Sequence, residues 1–161
     1  MWKQKSSNIK KQKSYDSFDD IFSLALNILS RTDLTVKKLR EKLALKTTKY
    51  DEIDNVIERL LELELLNDHE RAKTIAKGHP AWSKLRLKQA FYEQGVPADI
   101  SANVLAEIDF EEEKERCLLA YQKAMGYREL TEELRLKLFQ SMLRRGFSAN
   151  TIRSIMDIDE D

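Results

Sequence analysis

"LRRGFSANTI" (Leu143–Ile152) breaks a helical run of apolar and charged residues with a glycine followed at once by a phenylalanine. "YEQGVPADI" (Tyr92–Ile100) makes a related break earlier in the chain. Glycine enters the left-handed backbone region without a Cβ clash and so closes a helix, and an apolar residue after it folds back onto the core. Gly95 and Gly146 are therefore expected as structural turns, with Val96 and Phe147 as the returning apolar groups.

Counting outward from the glycines exposes a repeat. Leu87 and Leu138 stand eight residues before them, and Phe91 and Met142 four before. Val104 and Ile155 stand nine after, and Leu105 and Met156 ten after. A third copy lies upstream with Thr47 in the glycine register, Leu39 and Leu43 before it, and Val56 and Ile57 after it. Thr47, Gly95 and Gly146 are 48 and 51 residues apart, a period that marks stacked helical units. Thr47 lacks glycine's freedom, so the first unit's turn is expected to be looser.

Each unit reads as three helices. Phe18, Ile21, Phe22, Ala25, Ile28 and Leu29 share one face of a first helix. Further helices are expected near 33–44, with Thr32 as N-cap, and near 50–63. The second unit places helices near 68–77, 81–94 and 97–108, and the third near 110–125, 132–145 and 149–158. Ser148 suits the N-cap of the last, and Pro97 suits a first helical turn. No segment alternates with period two over a useful length. The expected fold class is all-α, in three tandem three-helix repeats over 17–67, 68–109 and 110–158. A basic flexible tail over 1–16 and an acidic end over 159–161 flank them.

Composition agrees and excludes much. Four glycines and two prolines in 161 residues leave few strand and turn signals. The 28 basic and 28 acidic residues cancel, so bulk charge points to no nucleic acid. Cys117 is the single cysteine, so no internal disulfide can form, as suits a reducing compartment. No apolar run nears the roughly 20 residues that span a bilayer, and the lysine-rich start has no apolar stretch behind it. A cytoplasmic chain without a membrane partner is expected.

The chemistry-bearing residues are sparse. There is no glycine-rich phosphate loop of either common spacing. His69 and His79 stand ten apart with no cysteine pair, which does not make a zinc set. Cys117 sits among apolar residues and reads as core rather than as a nucleophile. "FEEEKE" (Phe110–Glu115) suits a helix's first turn rather than an acid–base pair. No enzyme, cofactor or metal is expected. Trp82 is open to either role, core packing or partner contact.

The basic residues carry more. Lys38, Arg86 and Lys137 stand one residue before the buried leucines; Arg40 and Lys88 stand one after, where the third unit has Phe139. Stacking the units would align these positions along one surface, extended by Arg135, Arg144 and Arg145. Such a row fits a polyanionic backbone or an acidic strip on a protein. Lysines and arginines that solvate helix surfaces read the same way.

These stretches resemble the RecX family of bacterial regulators of the recombinase RecA. "RRGFSANTIRSI" (Arg144–Ile155) looks like the family's C-terminal element, and "LLNDHERA" (Leu65–Ala72) like its junction between the first two units, with Asp68 and Ala72 matching. "RTDLTVKKLREKL" (Arg31–Leu43) is similar to its first-unit helix. Arg71 stands where the family usually has an aromatic, and Ser83 where a glycine is common. The resemblance implies an elongated, curved, modular protein, a monomer that binds along the groove of the RecA filament on single-stranded DNA. It implies depressed ATPase and strand exchange, with DNA itself bound weakly if at all. The alternative is a general nucleic-acid-binding helical repeat module, and zero net charge argues mildly against it.

Overall fold

The computed structural model describes residues 14–156, and over them the chain is all-helical. The expected tail residues 1–13 and the acidic end 159–161 lie outside the described residues. The elements are α1 (Phe18–Leu29), α2 (Val36–Ala44), α3 (Tyr50–Glu62), α4 (Asp68–Gly78), α5 (Lys84–Gln94), α6 (Ala98–Glu107), α7 (Phe110–Met125), α8 (Glu132–Arg144) and α9 (Ala149–Met156).

Every extensive helix pairing falls within α1–α3, α4–α6 or α7–α9. The buried apolar residues divide the same way, into three separate cores. Leu39, Leu43 and Val56 are wholly buried in the first, with Leu87 and Phe91 in the second and Met142 in the third. Leu138 and Ile155 are nearly so. The repeat register thus marks the core positions, because a residue every three or four along a helix returns to one face. Tyr15, ahead of α1, packs on the first core.

Both glycine turns adopt the left-handed conformation, with φ +78° at Gly95 and +90° at Gly146. The amides beyond them close the helices: Val96 N–H donates to the Phe91 carbonyl (2.9 Å) and Phe147 N–H to that of Met142 (3.2 Å). Val96 and Phe147 are buried as expected. In the first unit Thr47 keeps negative φ, and the amides of Lys46 and Thr47 both reach the Leu43 carbonyl. The third helix of that unit instead ends on Glu64 at φ +54°.

Two helix starts differ from the expected ones. α2 begins at Val36 with Thr35 as N-cap, not Thr32; α5 begins at Lys84 with Ser83 as N-cap. Leu34 is buried in the first core and pulls the chain out of helix before Thr35, which Thr32 as cap would not allow. Thr35, Ser83 and Thr131 are then 48 residues apart at each step. The glycine spacing of 51 arises because α8 has 13 residues where α5 has 11, and because Arg145 stands between α8 and Gly146 while Gly95 follows α5 directly. Pro97 lies just ahead of α6 as its N-cap residue, and Ser148 caps α9 through the Thr151 amide (3.0 Å).

Candidate functional site

The units meet at two junctions built on one plan. At the first, the Thr35 hydroxyl accepts from the Lys38 amide (3.2 Å) and donates to the Gln94 carbonyl at the end of α5 (2.6 Å). At the second, the Ser83 hydroxyl accepts from the Arg86 amide (3.2 Å) and donates to the Arg145 carbonyl just past α8 (2.6 Å). Each N-cap therefore satisfies its own helix and the open C-terminal end of the next unit's helix.

A carboxylate from the following unit completes each junction. Asp68 accepts from the Val36 amide (2.8 Å) and Glu113 from the Lys84 amide (3.1 Å), so both sit at a helix N-terminus. Burial pushes both carboxyls above their ordinary range, and those amide hydrogen bonds pull the other way. Arg71 of the second unit pairs with Asp33 across the first junction (3.3 Å). Arg116 of the third unit, nearly buried, pairs with Glu112 (2.8 Å) and donates to the His79 carbonyl at the end of α4 (3.1 Å). That cation is satisfied by a carboxylate and by the negative end of a helix.

The glycines permit this docking. A Cβ at Gly146 would lie 2.9 Å from Leu85 Cβ and 2.9 Å from Ser83 Oγ. A Cβ at Gly95 would lie 2.8 Å from Lys37 Cδ. Each glycine closes its own helix and makes room for the preceding unit.

The basic residues separate into paired and unpaired groups. Lys38 pairs with Glu41 (3.2 Å), Arg40 with Asp54, and Lys137 with Glu133 (2.6 Å). Half-buried Arg135 reaches the Met156 carbonyl at 3.5 Å. Arg86, Lys88, Arg144 and Arg145 are exposed and form no ion pair among the described residues. The Ser83 hydroxyl brings Arg86 and Arg145 to the second junction. Lys88 instead lines a cleft beside the first junction, as does Lys37.

Of the two roles expected for Trp82, core packing is the one seen. It is half-buried against the second core, and His79 stacks on its ring with centroids 3.6 Å apart. The Arg86 guanidinium lies 4.4 Å from the Trp82 centroid, a cation–π contact that holds it in place. Cys117 is fully buried, and burial with the nearby Glu113 charge pushes its thiol up to about 12, so it is core.

The sequence reading singled out Asp68 and Ser83 only through the family resemblance and missed Thr35 and Glu113, although the 48-residue recurrence of Thr35, Ser83 and Thr131 carries the signal of the hydroxyls. Among the described residues no helix is long and apolar enough to cross a membrane.

Comparison with known proteins gives a consistent result. Residues 22–60 match the model of the RecX first three-helix domain, and residues 111–156 that of the third. The regulatory protein RecX of Clostridium perfringens (strain 13) is 31% identical over 153 residues, covering 92% of this chain and 72% of that protein. RecX of Finegoldia magna is 30% identical over 145 residues, covering 86% of this chain and 71% of that protein. The crystal structure of RecX from Lactobacillus salivarius superposes with a TM-score of 0.78 at 23% identity, over 89% of this chain and 97% of that one.

Proposed function

The chain belongs to the RecX family of regulatory proteins, and from that premise we propose that it regulates the recombinase RecA, mainly as an inhibitor. In this reading it lies along the groove of the RecA filament on single-stranded DNA and depresses ATPase and strand exchange. The observation that carries the reading is the set of exposed, unpaired cations Arg86, Lys88, Arg144 and Arg145. A cation already paired with a neighbouring carboxylate offers little net charge to a partner. These four keep theirs: Arg86 and Lys88 stand at repeat positions, and Arg144 and Arg145 stand at the turn that meets the second junction, where a partner spanning two units would meet them. DNA phosphates or acidic protomer side chains are the fitting targets.

The test is the single-stranded-DNA-dependent ATPase of RecA, titrated with wild type and with the Arg86→Glu, Arg145→Glu double variant. The double variant is expected to keep its helical circular dichroism, since both side chains are exposed, and to inhibit far less. Phosphate contacts predict a wild-type effect that falls steeply between about 50 and 200 mM salt, with a shallower slope for the variant. A folded double variant that inhibits as well as wild type returns these residues to solvated surface.

A further inference from the structure

Beside the first junction lies an open cleft of about 540 Å³ that none of the repeat-register reasoning explains. Lys37 of α2 and Lys88 and Tyr92 of α5 line it, with the small residues Ala98 and Ala102 of α6 and Pro97 ahead of it. No acidic residue lines the cleft. Neither lysine forms an ion pair among the described residues. Tyr92 is 77% exposed, with no ring stacked on it and no hydrogen bond to its hydroxyl among the described residues.

An aromatic ring left open, small residues that let a flat group approach, and two unpaired cations beside a gap form a defined chemical combination. Single-stranded nucleic acid has the matching parts: a base with a π-face for the ring and phosphates on either side for the cations. The gap has room for one nucleoside. Lys37 is also held in position, because its aliphatic stem passes over Gly95, where any Cβ would collide with it. That contact sets its exposed side chain beside the cleft, which it helps to line. The corresponding turn of the third unit is filled differently. There Leu85 lies over Gly146, and the Arg153 guanidinium covers Phe139, the counterpart of Lys88, at 5.9 Å. The pocket at that place is smaller, about 290 Å³, and its lining includes Glu132, Phe139 and Met156.

We propose that this cleft, between Lys37, Lys88 and Tyr92, is a subsite for one unstacked nucleotide of single-stranded DNA, the base resting on Tyr92 and the flanking phosphates on the two lysines. An acidic peptide with an apolar side chain would satisfy the lysines and the small residues, but would not require the flat, open ring. The inference deepens the reading above, yet its test uses no recombinase, so the two fail separately.

The probe is a short thymidine oligonucleotide with a single 2-aminopurine, titrated with the full chain. Wild type is expected to quench the probe and raise its anisotropy. Tyr92→Ala is expected to weaken binding about 5- to 50-fold and abolish the quench without changing the salt slope, while Tyr92→Phe keeps both. Lys37→Gln with Lys88→Gln is expected to keep the quench at saturating protein and lower the salt slope by about 1.4, the single-strand value for two lost phosphate contacts. An abasic probe bound as tightly as the intact one, or Tyr92→Ala binding like wild type, overturns the proposal. So does a cleft that an acidic leucine-containing peptide occupies and the oligonucleotide does not.

Discussion

Replacing Gly146 by alanine separates two demands that the turn makes at once. The first is conformational: φ is +90°, and a Cβ in the left-handed region costs roughly 1–2 kcal/mol. The second is spatial. The new Cβ would sit 2.9 Å from Leu85 Cβ and from Ser83 Oγ, so the first turn of α5 must withdraw. That breaks the hydrogen bond from Ser83 to the Arg145 carbonyl and strands a buried hydroxyl, a further loss of about 1–3 kcal/mol. The expected total is about 2–5 kcal/mol. Gly126→Ala supplies a comparison for space, since nothing lies within 4 Å of its would-be Cβ. Its conformational cost is its own, because φ +62° with ψ −134° lies outside the left-handed region. Urea unfolding followed by helical circular dichroism reads both. The loss for Gly146→Ala should shrink in a Ser83→Ala background, where the overlapping hydroxyl is already gone, while that for Gly126→Ala stays the same. A Gly146→Ala loss that is equal in both backgrounds would refute the claim that the turn makes room for the preceding unit.

Four other perturbations follow from the same contacts. Ser83→Ala should cost more than Thr131→Ala in a urea titration, because Ser83 caps α5 and bonds across a junction while Thr131 has only its capping bond to Leu134 (the cap alone is worth about 1 kcal/mol). Glu64→Gly should raise stability by about 0.5–1 kcal/mol, since φ is +54° there and glycine removes the strain; a lower midpoint would refute it. Burial raises the Glu113 carboxyl above its ordinary value in the folded chain, so its favourable contribution is complete below the usual glutamate range and fades as pH rises through the folded value. Glu113→Gln keeps an acceptor for the Lys84 amide and lacks that loss, so its advantage in melting temperature over wild type should grow with pH across this window, and a pH-independent difference would count against the assignment. Cys117, its thiol pushed to about 12, should resist iodoacetamide at neutral pH in the folded chain and react only on unfolding; rapid native labelling would show that the core is open.

The core was legible because burial imposes period. Leu39, Leu87 and Leu138 sit at the same step of the repeat and all three are buried. Gly95 and Gly146 were legible because glycine followed by an apolar residue after a helix has one economical structural explanation. What stayed hidden depends on contacts between units. Thr32 and Thr35 are both acceptable caps by residue type, and only the burial of Leu34 and the reach of Thr35 to Gln94 choose between them. Asp68, Glu113 and Arg116 look like ordinary surface charges on acidic or mixed helices until the neighbouring unit is placed against them. Nor does a string of lysines and arginines reveal which will be neutralised. Lys38 has Glu41 one turn on and Lys137 has Glu133 one turn back, a spacing visible in the sequence, but Arg40 finds Asp54 only through tertiary packing.

The junctions also bear on how such a chain could fit a partner. Each unit keeps its own apolar core, and the units join through a hydroxyl, a carboxylate and a missing Cβ. Hydrogen bonds demand geometry, yet each contributes only about 1 kcal/mol net, because water competes for the same groups. Two such bonds fix an orientation without merging two cores, so a change of angle between units need not open either one. Stability in such repeats is a sum of unit and neighbour terms, and here the neighbour term combines these polar bonds with local apolar contacts such as Ala81 against the third core. At the stretch Arg144–Phe147 the division of labour is explicit. The Arg145 carbonyl holds the preceding unit, Gly146 admits it, Phe147 returns to the core, and the two arginine side chains remain in solvent. On the proposed reading, a partner engaging those arginines would act on the same turn that meets the second unit, and binding would then be linked to unit orientation through that four-residue stretch.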